Sequence, residues 1–228
     1  GLSTSRIKSY YTFKKNIEDF EKYLKSTIQL TDINAALVDK YKTWLLDKKG
    51  YSVNYAGKQL DNMRAVGKDA IRLNIPTNLY VHQIESFSET NENRHIVTLS
   101  PEELKKISET IMPSPYLANA KKWLLLGCEI GQRASDLLSL TSNNLRYVDN
   151  HLFVDITQQK THKSVTIPIG STEIREMLEN DFPSPISSQK LNKYIKMVCE
   201  LAGINETLEG KIMDKDTNRK LLGMYPKY

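Results

Sequence analysis

Two cations are placed where they could act on a phosphodiester. Arg133 lies in the run Glu129-Ile130-Gly131-Gln132-Arg133-Ala134-Ser135-Asp136-Leu137-Leu138-Ser139-Leu140, just past a glycine break and at the opening of an apolar helix. Lys160 follows downstream in Gln159-Lys160-Thr161-His162, between two segments that alternate with a period of two. A planar guanidinium pairs two phosphate oxygens and keeps its proton. A helix start adds backbone N–H groups and the positive end of the helix dipole. A lysine at a hairpin tip has reach and gives up a proton when desolvated. Charge on the non-bridging oxygens and a proton for the leaving oxygen are what cleavage without a metal requires. Each residue also has an ordinary alternative: an arginine at a helix start as a surface or ion-pair residue, and a turn lysine as a solvated one.

The elements that must hold these residues follow from periodicity. The first 80 residues read as helices only. Ser5 is a candidate cap for a helix whose apolar positions Tyr10, Phe13, Ile17, Phe20 and Leu24 recur at spacings of three and four. A second helix opens at Asn34, with Ile33 and Val38 placed to staple its start, Leu37, Tyr41 and Leu45 on its face, and Gly50 to end it. Ser52 begins a third, with Val53, Ala56, Leu60, Met63, Gly67 and Ala70 as one stripe and Pro76 as its stop. The expectation is a small helical bundle. The opposite side of the third helix carries Asn54, Lys58, Asp61, Lys68 and Arg72, flanked by Tyr55, Gln59 and Arg64. Such a mixture can grip a phosphate backbone and touch base edges; the plain alternative is a solvated face.

A polar stretch without a period, 81–95, reads as a linker. Ser100-Pro101-Glu102-Glu103 then gives a capping box with proline at the first helical position, and Leu104, Ile107 and Ile111 a buried face. A further helix runs from Tyr116 to Cys128, and Gly131 interrupts it. Residues 145–148, 151–158 and 164–169 read as a three-stranded meander with a turn at Asp149-Asn150. Helices are expected over 171–179 and 189–202, with Gly203 ending the latter. After Ile204 the pattern weakens, and no complete element is expected as far as Met224-Tyr225-Pro226-Lys227-Tyr228. The fold class is mainly α with a small antiparallel sheet, α+β.

Net charge is +5, unevenly distributed. Residues 1–80 carry 14 Lys and Arg against 8 Asp and Glu, while the rest carry 18 against 19, so the N-terminal part is the one suited to an acidic polymer. No apolar run approaches the roughly 18 residues of a membrane span. Cys128 and Cys199 lie in apolar helical patterns without metal-ligand neighbours and read as reduced core cysteines of a cytosolic protein. The start at Gly1 without Met suggests a fragment or a residue left over from expression.

The run from Gly131 to Leu140 resembles the first box of the tyrosine recombinase, or phage integrase, family, in which the arginine is catalytic. Leu99-Ser100-Pro101-Glu102-Glu103-Leu104 resembles the opening of that family's catalytic domain. Gln159-Lys160-Thr161 with Val165-Thr166-Ile167-Pro168-Ile169 resembles its hairpin, where the lysine is the general acid. Leu30-Thr31-Asp32-Ile33 and Ser52-Val53-Asn54-Tyr55 resemble its DNA-clamping core-binding domain. The departures are Gln132, where the family more often has an aliphatic residue, and Asp136, where it usually has Glu.

The resemblance implies a helical core-binding domain over 1–80, a linker over 81–95 and a partial catalytic domain over 96–228. It implies a site-specific recombinase of a mobile element that cuts and rejoins double-stranded DNA through a 3′-phosphotyrosyl intermediate. Arg133 and Lys160 are then catalytic; Asn54, Tyr55, Lys58, Gln59, Arg64, Lys68, His162 and Lys163 are the DNA-contact candidates. Neither a metal nor another cofactor is implied. The enzyme is expected in the cytoplasm at the nucleoid, assembling as a tetramer on DNA when full length. The family's His-x-x-Arg box is missing: none of His82, His95, His151 and His162 has an arginine three residues later. Tyr225 and Tyr228 precede the place of that box, so neither is expected to be the nucleophile. These residues by themselves are expected to be inactive. A resolvase or topoisomerase-like relative, a non-catalytic DNA-binding regulator of recombinase fold, and a bundle that binds only protein stay open as alternatives.

Overall fold

A computed structural model describes residues 3–90, 97–214 and 220–227. The chain divides into two compact units, Gly1–Ile96 with Glu209–Gly223 and Val97–Leu208 with Met224–Tyr228.

The first unit is the expected helical bundle. Helix α1, Thr4–Leu24, is capped by Ser3, whose hydroxyl accepts the Arg6 N–H at 3.3 Å; Ser5, the cap expected from sequence, lies inside the helix because Ser3 is the residue with extended backbone. Asn34 caps α2, Ala35–Thr43, through the Leu37 N–H, and the helix runs on into a π turn, Trp44–Lys48. Gly50 follows at φ +64°, the left-handed end that its type suggested. Helix α3, Val53–Arg72, is capped by Ser52. The rings of Phe20, Tyr41 and Trp44 meet with centroids 4.9 to 5.9 Å apart and close the core with Val38, Leu45, Leu60 and Met63. Each fully buried apolar side chain of this size contributes roughly 1.5–3 kcal/mol.

The segment read as linker behaves differently as far as it is described; residues 91–95 of it lie outside the described chain. A 3₁₀ turn, Leu79–His82, leads into a strap that lies against α3, and Val81 and Ile84 are fully buried. Two glycines of α3 make room for it. A Cβ on Gly67 would stand 2.6 Å from Val81 Cγ1, and one on Gly57 would stand 1.8 Å from the Phe87 carbonyl oxygen. Glu89 fastens the strap further on, with its N–H on Asn54 Oδ1 at 2.8 Å and its carboxylate on Lys211 Nζ at 2.8 Å. The polar composition concealed two apolar anchors.

The second unit begins with α4, Pro101–Glu109, under the expected capping box of Ser100 and Glu103. The helix stops before Ile111, which is 91% exposed and so no part of the buried face expected for it. Helix α5, Pro115–Ile130, buries Leu117, Trp123 and Leu126 and ends at Gly131 with φ +62°. A single turn, α6, spans Ala134–Leu137. Strands β1 (Leu145–Val148), β2 (His151–Thr157) and β3 (Ser164–Pro168) form an antiparallel meander in the order β1-β2-β3. Val148 pairs with His151 across a two-residue turn in which Asp149 and Asn150 both have positive φ, as a type I′ turn needs. Alternate β2 residues Leu152, Val154 and Ile156 face the core against α7 (Thr172–Asn180) and α8 (Ser188–Leu201). Gly203, φ +69°, ends α8.

Past Ile204 the structure corrects the sequence reading. Strands β4, Thr207–Met213, and β5, Lys220–Pro226, pair into a hairpin. Gly210 and Gly223 inside these strands and their charged residues weaken the alternation that would have announced them. Its base is closed by the Lys227 N–H on the Glu206 carbonyl, and Lys227 Nζ holds both oxygens of Glu103 at 2.7 Å. Cys199 is buried as expected, but Cys128 is exposed on the outer side of α5.

Candidate active site and nucleic-acid face

The active-site candidate is a junction where α5 ends. Glu129, in the last turn of α5, uses Oε1 to accept the N–H groups of Gly170 (2.9 Å) and Ser171 (3.0 Å), fixing the turn between β3 and α7. Gly131 then turns the chain, and Arg133 takes the N-cap position of α6 with extended backbone, its carbonyl accepting from Asp136 N and Leu137 N. The backbone of Arg133 is thereby held while its side chain stays 47% exposed. The helix expected to follow is one turn long, so the anticipated dipole contribution does not materialise; a macrodipole needs several aligned peptides.

The β2–β3 turn carries Lys160 and is fastened to this junction. Asp136 is buried, 1% exposed, and its Oδ1 accepts the backbone N–H of Gln159 at 3.0 Å. The side chain of Gln159 reaches back to the Ser135 carbonyl at 3.3 Å, and that of Gln158 donates to Gln132 Oε1 at 2.9 Å. Within the turn, Gln158 N–H meets the Lys163 carbonyl and His162 N–H meets the Gln158 carbonyl, with His162 at φ +54°. Lys160 is exposed, and among the described residues its side chain has no hydrogen bond or ion pair. A turn fastened by backbone hydrogen bonds therefore presents the Lys160 side chain to solvent. His162 and Lys163 are exposed beside it.

Asp136 links the two cations. Its second oxygen, Oδ2, is buried without a hydrogen-bond partner, and Arg133 Nη1 stands 3.7 Å from it. A buried carboxylate oxygen needs compensating charge, and Arg133 supplies it from the solvent side. Sequence reading noted Asp136 only as a departure from Glu. Its position three residues after Arg133, ahead of Leu137 and Leu138, was the available signal for a buried acid. Arg146 on the meander is no phosphate candidate, because Asp155 occupies it at 2.6 Å; that guanidinium and the Thr166 hydroxyl hold the Asp155 carboxyl below its ordinary range.

In the first unit, the DNA-contact candidates on α3 separate into two groups. Lys58 and Lys68 are exposed, without a side-chain partner among the described residues. Asn54 is exposed but its Oδ1 is engaged by the strap. Tyr55 accepts from Asn16 Nδ2 at 2.9 Å and packs edge-on to Tyr51. Arg64 pairs with Asp61 at 2.6 Å and donates to the Ile84 carbonyl at 3.1 Å. Gln59 is 2% exposed, and its Oε1 has no partner, so it cannot touch DNA in this arrangement. Among the described residues no cluster of side chains could hold a metal, and no helix is long and apolar enough to cross a membrane.

The first unit is a helical bundle, and the second packs helices around a three-stranded meander and presents Arg133 and Lys160 from one hydrogen-bonded junction. Residues 2–86 match the phage integrase SAM-like domain and residues 97–212 the phage integrase family, and the chain belongs to that family. Among solved structures, it resembles the XerH site-specific recombinase bound to a palindromic difH substrate in a post-cleavage complex, with a TM-score of 0.63 at 14% identity over 86% of this chain and 63% of that one. It also resembles lambda integrase residues 75–356 bound to DNA, with a TM-score of 0.61 at 18% identity over 89% of this chain and 73% of that one. The chain thus spans less than two thirds of the length of that XerH chain. No curated protein sequence matches it.

Proposed function

We propose that this chain is the DNA-clamping portion and part of the catalytic portion of a site-specific recombinase of a mobile element, acting on double-stranded DNA in the cytoplasm, at the nucleoid. The observation that carries this reading is the fastening of the Lys160 turn to the Arg133 loop through buried Asp136. It presents two cations on hydrogen-bonded backbone, beside an arrangement that uses the nearby polar groups internally. The difH substrate of the XerH recombinase structure and the DNA of the lambda integrase structure support the same substrate class.

In this reading Arg133 pairs non-bridging oxygens of the scissile phosphate and stabilises the charge that builds there. A tyrosine hydroxyl attacks phosphorus and gives up its proton to water, the bond to the 5′ oxygen breaks, and Lys160 gives that oxygen a proton. No His-x-x-Arg occurs in the 228 residues, and the attacking tyrosine is not assigned to any of them. Lys58 and Lys68 contribute phosphate contacts from the first unit, and His162 and Lys163 from the hairpin turn. On DNA the full-length protein assembles as a tetramer. The test is strand cleavage of duplex DNA by the full-length protein, trapped as a covalent protein–DNA adduct. Loss of the adduct in Lys160→Ala with retained DNA binding is the expected result. Equal loss of cleavage and binding would assign Lys160 to the interface alone.

A further inference from the structure

We propose that Gln132, Gln158 and Thr161 form a positioning relay that sets the Lys160 turn against the Arg133 loop; this rests on the recombinase reading for its catalytic consequence, not for its existence. The Thr161 hydroxyl donates to Gln158 Oε1 at 2.7 Å, Gln158 Nε2 donates to Gln132 Oε1 at 2.9 Å, and Gln132 Nε2 donates to the Ile130 carbonyl at 3.3 Å. All three bonds run in one direction, so each polarises the next. The relay ends on a carbonyl of the last residue of α5, one of the helix-end acceptors that has no partner within the helix. It begins at the residue after Lys160 and passes through Gln132, the residue just before Arg133.

An aliphatic side chain in place of Gln132 could accept nothing from Gln158, so the relay is a feature of this chain and of sequences that carry both glutamines. Asp136 holds the backbone of the turn at Gln159, while the relay holds the turn's far side at Thr161. Two attachments on either side of Lys160 fix its direction; one alone would leave the turn free to rock. None of the three residues reaches the phosphate in this scheme. They act through Lys160.

The test uses two measurements. In the 228-residue chain, Gln132→Leu should speed amide hydrogen exchange at His162, whose N–H is bonded to the Gln158 carbonyl, while exchange in α5 and α8 stays as it was. In the full-length protein, cleavage is compared at saturating DNA on a substrate with the natural 5′ oxygen and on one with sulfur at that bridging position. A thiol ionises near pH ~8.5, so sulfur leaves without a proton donor. Gln132→Leu should slow the oxygen substrate by roughly 10- to 100-fold and the sulfur substrate by no more than about twofold. Gln132→Glu keeps an acceptor for Gln158 Nε2 but no donor for the Ile130 carbonyl, so it should recover only part of the loss. Equal slowing of both substrates, or none of either, overturns the relay's catalytic role. If the wild-type full-length protein cleaves neither substrate, the recombinase reading fails instead, and unchanged exchange at His162 would overturn the relay itself.

Discussion

Two basic regions looked alike in the sequence and differ in the structure. At the Arg133–Lys160 junction, the neighbouring polar groups of Glu129, Gln132, Asp136, Gln158 and Gln159 bind protein, and the lysine side chain has no partner among the described residues. On α3, the polar side chains themselves are consumed: Gln59 is buried, Arg64 is held by Asp61 and Ile84, and Tyr55 and Asn54 are hydrogen-bonded. A cationic or amide side chain is available to a ligand only when other groups satisfy the backbone around it. The first region meets that condition, and only Lys58 and Lys68 meet it in the second.

The sharpest way to break this contrast is Arg133→Ala in the full-length protein. Removing one group that stabilises charge at a reacting phosphate should cost about 10²–10³ in cleavage rate, with duplex affinity changed far less. A variant whose single-turnover cleavage matched wild type would remove Arg133 from the chemistry. Next in size is Asp136→Ala, which strips the Gln159 N–H of its acceptor. Leaving such a group unpaired costs about 1–3 kcal/mol, to be read as a lower urea midpoint together with slower cleavage. Asp136→Asn keeps an oxygen for that N–H, so it should recover stability more than rate.

How far the sequence carried depends on whether a signal was local. Helix starts were legible at Asn34, Ser52 and Ser100 because a cap is defined by a few neighbouring residues. The Asp149-Asn150 turn was legible for the same reason. Arg133 and Lys160 could be singled out by type and spacing, although only the fold brings their loops together. What stayed hidden depends on distant partners. Val81 and Ile84 sit in a polar stretch and find their core only across α3. The burial of Asp136 follows from the hairpin turn, which has no periodic signature, and Gln59 is buried within the bundle although its type suggested a surface position. Gln132 looked like a departure in packing until Gln158, 26 residues away, supplied its partner.

Gly57→Ala tests the strap that takes over the flank of α3. Its Cβ would fall 1.8 Å from the Phe87 carbonyl oxygen, a backbone atom that can yield only if the strap lifts. A loss of about 1–3 kcal/mol in unfolding free energy is expected, with faster proteolysis within the strap. An Ala variant as stable as wild type would show that the strap is not held there.

The smallest effects separate the two kinds of residue on α3 itself. Replacing Lys58 and Lys68 together by Ala should leave the melting temperature nearly unchanged but weaken duplex binding. The slope of log affinity against log salt should become shallower by roughly 0.9 for each phosphate that the protein ceases to neutralise. Gln59→Leu makes the converse test. It removes a buried carbonyl oxygen that has no partner and replaces it with apolar surface of similar size, a change expected to be neutral or mildly stabilising. Duplex affinity and its salt slope should not move. If Gln59→Leu weakened binding as much as the double lysine variant does, α3 would have to turn its buried side toward DNA, and burial in the free protein would be no guide to which residues make the interface.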